Sequence, residues 1–394
     1  MNLKIENLRV LVTGASGFLG GRFVERLVLA NSNCEIRGLI HTYSHATRLG
    51  RLPVQIIKCD LASERSVSDS LRGAQVVVHC ALGTKFETIS GTRALVRASL
   101  SQGIKKFVHI SSVAVHGYSA PPNTDENSPL PKTSDVYCRI KIESERLVQN
   151  AIRENNLPGI VLRPTNIFGP YSRPWTVRPI SMLKRRDVVL IDGGNTPSNA
   201  VYVDNVVDAI LLAITSESAV GHTFIIADTE LMSWRDFFGS YARMFTPPLP
   251  VYSATRREAE EQTRRQFQSS IRHLLQGPKS SIGVLPSLVE QVDALGQIIN
   301  FLNEYGMTKR VQALAALVPS SLKDHFLRGP ESLRVIGDTV HKAPSSGMMD
   351  IFTSRAKFNP QKAESLLGYH PRYSFEYGMR VTQKWLEYSR LLEN

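Results

Sequence analysis

The stretch Thr13-Gly14-Ala15-Ser16-Gly17-Phe18-Leu19-Gly20 constrains this chain more than any other. A short apolar run, Leu8–Val12, leads into it. Out of it comes Phe18–Leu29, where Phe18, Leu19, Phe23, Leu27 and Val28 recur at helical spacing. A strand that passes through three glycines straight into a helix leaves little choice of architecture. Gly14 lets the chain turn, Gly17 lets the backbone approach a pyrophosphate, and Gly20 lets helix and strand pack closely. The helix N-terminus then offers unpaired N–H groups and a positive dipole to the phosphates. A glycine triplet alone is weak evidence, but here it has the required strand before it and helix after it.

The pattern continues. Ile36–Ile40, Val54–Lys58, Val76–Ala81, Phe107–Ile110 and Gly159–Leu162 read as strands apolar enough to be covered on both faces. Glu64–Leu71, Thr92–Gln102 and Val136–Asn155 read as the helices between them. Such alternation predicts an α/β fold, a Rossmann-type doubly wound parallel sheet. The dinucleotide-binding core is expected over residues 1–165, with segments returning from about 200–228, where Ala200–Val203 and Thr223–Ala227 read as strands and Val206–Ile214 as a helix. Residues 166–245, which include the strand candidate Val188–Ile191, and 345–394 are expected to form a smaller substrate lobe. Residues 246–344 read as a mainly helical insertion, with Thr255–Leu275 strongly charged and Leu285–Asn303 and Met307–Val318 more apolar. That insertion is either a layer packed on the core or an interfacial element, since basic residues flank apolar helical faces.

Composition narrows the partners. The 394 residues are 42% hydrophobic and carry a formal charge of +12. A basic balance favours nucleotides, phosphates or an acidic membrane surface. The Lys and Arg are scattered and no recognition motif accompanies them, so no nucleic-acid partner is expected. The four cysteines include no C-x-x-C pair, and no metal site is expected. Free thiols, a strand beginning almost at the first residue and the lack of a bilayer-length apolar run all point to a cytoplasmic protein, with peripheral membrane contact through the insertion left open.

Tyr137 and Lys141 stand four apart in a helical segment, on one face and one turn apart. A neighbouring ammonium favours a phenolate and is expected to lower the tyrosine pKa. Ser112, at the end of the strand Phe107–Ile110, can hold a substrate oxygen beside Tyr137. At the cofactor's other end the second strand closes on Ile40-His41, with no carboxylate to take ribose hydroxyls. His41 can face a 2′-phosphate, and Arg37 and Arg48 are near it in sequence, so NAD and NADP both stay open. Asp60 is either an acceptor for the adenine amino group or the N-cap of the next helix.

With these residues the chain resembles the extended short-chain dehydrogenase/reductase superfamily, in its NAD-dependent epimerase/dehydratase family. The resemblance rests on Thr13–Gly20, Asp60-Leu61, His79-Cys80-Ala81, Ser112, Tyr137 with Lys141, and Arg163-Pro164-Thr165-Asn166-Ile167-Phe168-Gly169-Pro170. Val201–Val206 and Leu366–Pro371 extend it. It implies Tyr137 as general acid/base, Lys141 tuning it and Ser112 orienting the oxygen. It also implies a cofactor site of Gly14, Ser16, Gly17, Phe18, Leu19, Gly20, His41, Asp60, Leu61, Ala81, Tyr137, Lys141, Pro164 and Asn166, and a substrate site of Ser112, Val113, Asn166 and Arg173. Dehydratases of the family resemble Thr-Asp-Glu where this chain has Ser112-Val113-Ala114, so water elimination is not expected. The arginine that clamps a sugar diphosphate is missing before Ala200; Arg173, Arg178, Lys184, Arg185 and Arg355 are the candidates to replace it. The resemblance therefore implies a sugar epimerase or oxidoreductase acting on a nucleotide sugar. Ser111–Val115, Gly193–Asn195 and Leu367–Tyr369 resemble instead the 3β-hydroxysteroid dehydrogenase-like members, which implies a lipid or lipid-linked alcohol as the alternative. A non-catalytic dinucleotide-binding regulator is the third reading, against which Ser112, Tyr137 and Lys141 argue. A homodimer through Thr92–Gln102 and Val136–Asn155 is also implied.

Overall fold

The computed structural model describes residues 7–30, 33–133, 135–265 and 343–393. The first strand, β1 (Arg9–Thr13), runs through the loop Gly14–Gly17 into α1 (Phe18–Leu29). Then follow β2 (Glu35–Ile40), β3 (Gln55–Lys58), α2 (Glu64–Leu71), β4 (Val76–His79), α3 (Lys85–Ser101), β5 (Lys106–Ile110), α4 (Val136–Asn155) and β6 (Gly159–Pro164). Beyond them lie β7 (Asn166–Phe168), α5 (Arg178–Lys184), β8 (Val188–Ile191), β9 (Ala200–Tyr202), α6 (Val203–Thr215), β10 (Thr223–Ile226), α7 (Trp234–Ala242) and β11 (Tyr252–Ala254). A helical stretch at 256–265, then α8 (Ser346–Thr353) and α9 (Phe375–Tyr388), follow, and short helical turns such as Ala363–Leu367 lie between the longer elements.

Seven parallel strands form the main sheet in the order β10-β6-β5-β4-β1-β2-β3. The doubly wound fold expected from the alternation is therefore present. Successive side chains of a strand face opposite sides of the sheet. Val10 and Val12 of β1 enter one core with Phe23, Leu27, Val206 and Ile210. Leu11 enters the other with Leu71, Leu95 and Val148. The strand order reverses between β1 and β4, and the crevice outside the strand C-termini at such a switch point is where ligands of this architecture bind. Two small parallel pairs, β7 with β9 and β8 with β11, stand beside the main sheet.

Two helices begin earlier than periodicity indicated. α3 starts at Lys85 rather than Thr92, because Thr84 and Glu87 form a reciprocal capping box at 3.3 and 2.9 Å. α6 starts at Val203, directly on the end of β9. The stretch expected helical from Thr255 is helical over 256–265, and the rest of it, with Leu285–Asn303 and Met307–Val318, lies outside the described residues. Among the described residues no helix is long and apolar enough to cross a membrane.

Candidate active site

A cleft of 1020 Å³ opens along the C-terminal edge of the sheet. Its floor at one end is the glycine loop. Gly14 has φ +65°, and a Cβ there would lie 2.9 Å from the Ala81 nitrogen. A Cβ on Gly20 would lie 2.4 Å from the Gly14 oxygen, so any side chain would force α1 away from the loop. Gly17 is the N-cap of α1 and no side chain caps that end, which leaves its first N–H groups to a ligand. The residues present therefore fit a dinucleotide pyrophosphate.

Beneath the loop a hydrogen-bond chain fixes the geometry. Thr92 Oγ1 donates to the Thr88 carbonyl at 2.7 Å, so it accepts from His79 Nε2 at 2.9 Å. His79 Nδ1 must then accept from Thr13 Oγ1 at 2.8 Å, and Thr13 in turn accepts from the Ala81 N–H at 3.1 Å. Burial, with Lys141 nearby, pushes the His79 imidazole down to about 3, which keeps it neutral as this chain of bonds requires.

Tyr137 and Lys141 lie in the first turns of α4, whose N-cap Asp135 accepts from the Cys138 N–H at 2.7 Å. Both line the cleft with Ser112, which begins the turn Val113–His116 after β5. Ser112 Oγ accepts from the Ala114 N–H at 3.2 Å. The Tyr137 side chain is 38% exposed to the cleft, yet the enclosing walls raise its pKa; a hydrogen bond with Ser112 opposes the rise. This corrects the expectation of a lowered tyrosine pKa. Lys141 Nζ is 6.0 Å from the Tyr137 ring centroid and donates instead to the Ile110 carbonyl at 3.0 Å. Burial pushes the Lys141 ammonium down to about 8, against the attraction of Cys80 and Glu145.

A buried network that sequence reading missed braces these residues from behind. Glu145, one turn after Lys141, accepts from Arg163 at 2.5 Å and from Ser111 Oγ at 2.5 Å. Arg163 immediately precedes Pro164, and Ser111 immediately precedes Ser112. The Arg163-Pro motif and the Ser111-Ser112 pair were the only sequence signals of it.

Of the catalytic, cofactor and substrate residues that the resemblance implied, all line the cleft except Gly20, which sits behind the loop. Asp60 is not the N-cap of α2; Ser63 is, and Asp60 accepts the Ala62 N–H at 2.9 Å while lining the cleft. Neither arginine suggested for a 2′-phosphate faces that space. Arg37 binds Glu35 and the Arg72 carbonyl. Arg48 binds Glu25 and the Gly17 and Phe18 carbonyls, and stacks 4.2 Å over Tyr171. Among the candidate replacements for the missing clamp, Arg173 and Arg178 line the cleft. Lys184 instead binds the Glu393 carbonyl, Arg185 pairs with Asp187, and Arg355 lines a separate 760 Å³ hollow. The cleft is also walled by Val113, Ala114, Trp175, Trp234, Met348, Ile351 and Phe358, most of which sequence reading did not single out. Asn166 lies there too, its Nδ2 donating to the Ser198 carbonyl at 2.7 Å. Among the described residues no group of three or more His, Cys, Asp or Glu side chains could hold a metal ion.

The chain is 27% identical over 244 residues to a 4-hydroxy-2-methyl-3-oxo-4-farnesyl-3,4-dihydroquinoline-1-oxide ketoreductase of Stigmatella aurantiaca, covering 58% of this chain and 71% of that one. It is 30% identical over 246 residues to the decarboxylating sterol-4-alpha-carboxylate 3-dehydrogenase of Candida albicans, covering 56% and 70%. The crystal structure of UDP-glucose 4-epimerase from Thermotoga maritima shares the fold with a TM-score of 0.65 at 17% identity, over 97% of this chain and 100% of that one. Residues 10–227 match the NAD dependent epimerase/dehydratase family. With its glycine loop, its strand order and more than half its length so matched, the chain belongs to that family, within the extended short-chain dehydrogenases/reductases.

Proposed function

We propose that this chain is an NAD(P)-dependent oxidoreductase or epimerase that interconverts a carbinol and a ketone, with Tyr137 as the proton donor and acceptor. The observation that carries the reading is the convergence of Ser112, Tyr137 and Lys141 in one cleft with the glycine loop. Bound there, a nicotinamide dinucleotide supplies or accepts the hydride. Gly14, Ser16, Gly17, Phe18 and Leu19 would hold its pyrophosphate, with Leu61, Ala81, Pro164 and Asn166 along its length. Ser112 donates to the substrate oxygen and orients it. The phenol of Tyr137, held protonated by its surroundings, gives its proton to that oxygen when a ketone is reduced. In the oxidising direction the phenolate must form, and the charge of Lys141 on the same helix face stabilises it. Val113 and Ala114 offer no carboxylate where water would be eliminated, so the chemistry ends at the alcohol or ketone.

The main substrate reading is a sugar, most simply a nucleotide sugar whose phosphates meet Arg173 and Arg178. Burial and the nearby Arg185 hold Arg178 below its ordinary range, which an anion would relieve. A lipid or lipid-linked alcohol is the second reading, and the specific observation favouring it is the wall of Trp175, Trp234, Met348, Ile351 and Phe358. Turnover of nucleotide sugars against sterol-type alcohols separates the two, and Tyr137→Phe must abolish either. A homodimer through α3 and α4 and a cytoplasmic location belong to the same proposal. The 74% exposed Phe86 on α3 and the four free thiols support them. Sedimentation tests the dimer, and flotation with anionic vesicles tests membrane contact.

A further inference from the structure

We infer that the preferred cofactor is the 2′-phosphorylated dinucleotide, NADP, and that His41 and His45 receive its 2′-phosphate. The inference rests on reading the glycine-loop half of the cleft as the dinucleotide site. β2 lies beside β1, with Leu39 opposite Thr13, so the end of β2 stands next to the loop where the adenosine ribose is read. Selection there turns on one kind of residue. A carboxylate takes the ribose hydroxyls of NAD, and a cation takes the extra phosphate of NADP. From Ile36 to Cys59 the chain has no Asp or Glu, whereas Arg37, Arg48, Arg51 and Lys58 all fall in that stretch. The first carboxylate after it, Asp60, already accepts the Ala62 N–H.

Of the three arginines in that stretch, Arg51 does not line the cleft and the other two are held elsewhere. Arg48 is drawn under the glycine loop by Glu25 and two loop carbonyls, and Arg37 is held by Glu35. What remains at the cleft wall is a pair of imidazoles. His41 follows β2 directly, and the short turn Tyr43–Arg48 brings His45 back to the same wall. Both side chains are exposed, and neither has a hydrogen bond or ion pair among the described residues. A neutral imidazole donates one N–H and an imidazolium two, which suits them to the acceptor oxygens of a phosphate and not to a diol that NAD-type sites bind with a carboxylate.

Dissociation constants for NADP and NAD, measured by protein fluorescence or calorimetry on the full chain without substrate, test this. Wild type is expected to bind NADP about tenfold more tightly than NAD, the scale of a charge-assisted hydrogen bond. In His41→Ala and in His45→Ala the ratio of the two constants should fall several-fold, and His41→Arg should keep or widen it. Equal affinities in wild type, or a ratio unchanged in both alanine variants, would overturn the inference. The oxidoreductase reading fails separately. A Tyr137→Phe variant that turns over normally would sink that reading and leave the cofactor preference standing, whereas loss of binding of both nucleotides by wild type would sink both.

Discussion

The pair Glu145–Arg163 offers the sharpest stability prediction. Both side chains are almost fully enclosed, at 1% and 3% exposure. Glu145 accepts from Arg163 Nε at 3.1 Å, from Arg163 Nη2 at 2.5 Å, from Ser111 at 2.5 Å and from Gln149 at 2.7 Å. Glu145→Leu removes all of these and leaves a guanidinium buried with only His116 Nε2 and the Glu126 carbonyl, each at 3.1 Å. Breaking a buried pair from one side costs about 3–5 kcal/mol, because the surviving charge keeps its desolvation penalty. Against a total stability of about 5–15 kcal/mol this is a large fraction, and it corresponds to a fall in Tm of about 10 °C. Adding Arg163→Met removes the stranded charge, and an apolar pair of similar volume restores most of the loss. Urea denaturation followed by circular dichroism on the two singles and the double measures the coupling, expected to exceed about 2 kcal/mol. A Glu145→Leu cost under about 1 kcal/mol, or a double equal to the sum of the singles, would refute the reasoning.

Lys141→Met should abolish turnover yet stabilise the protein at pH 7, since the depressed lysine costs about 3 kcal/mol there (from 10.5 to about 8, at 1.36 kcal/mol per pH unit). The wild type regains this as pH rises from about 8 towards 10.5, so the variant's advantage in thermal melts should shrink over that window and not below it. His79 is depressed from 6.5 to about 3, so its contribution is complete above 6.5 and is lost as pH falls towards 3; replacing it with Gln should flatten the acid limb of the stability curve. Gly20→Val should eliminate dinucleotide binding in a fluorescence titration, because its Cβ alone would lie 2.4 Å from the Gly14 carbonyl oxygen.

How much of this was legible in the sequence depended on how local each signal was. The glycine loop and the Tyr137/Lys141 spacing are written within single elements, and their order along the chain suffices to bring them to one end of a parallel sheet. Directions that depend on tertiary packing were not legible. Arg48 is three residues from His45 in sequence, yet Glu25 and Tyr171 turn it beneath α1 while His45 lines the cleft. The lowered tyrosine pKa failed as an expectation because the walls around Tyr137 desolvate a phenolate, and because helical spacing fixes the Cα positions of Tyr137 and Lys141 but not where Nζ points, which is to the Ile110 carbonyl. Met348, Ile351 and Phe358 reach the same cleft as Val113 from beyond the predicted insertion, a juxtaposition no local pattern announces. The early start of α3 was legible in principle, in Thr84 and Glu87, but Phe86 and Ile89 are the only large apolar residues between Lys85 and Gly91, too few for a reading based on apolar periodicity.

On the proposed mechanism, Tyr137 moves the proton in a nicotinamide-dependent oxidoreduction. Its most direct test is turnover by wild type and Tyr137→Phe, with NAD and NADP, over a panel of nucleotide sugars and lipid alcohols, and with cofactor affinity measured on the same samples. Wild type is expected to turn over a member of one class, and the variant to lose turnover by at least about a hundredfold while binding cofactor with similar affinity. A variant that binds cofactor and turns over at the wild-type rate would contradict it.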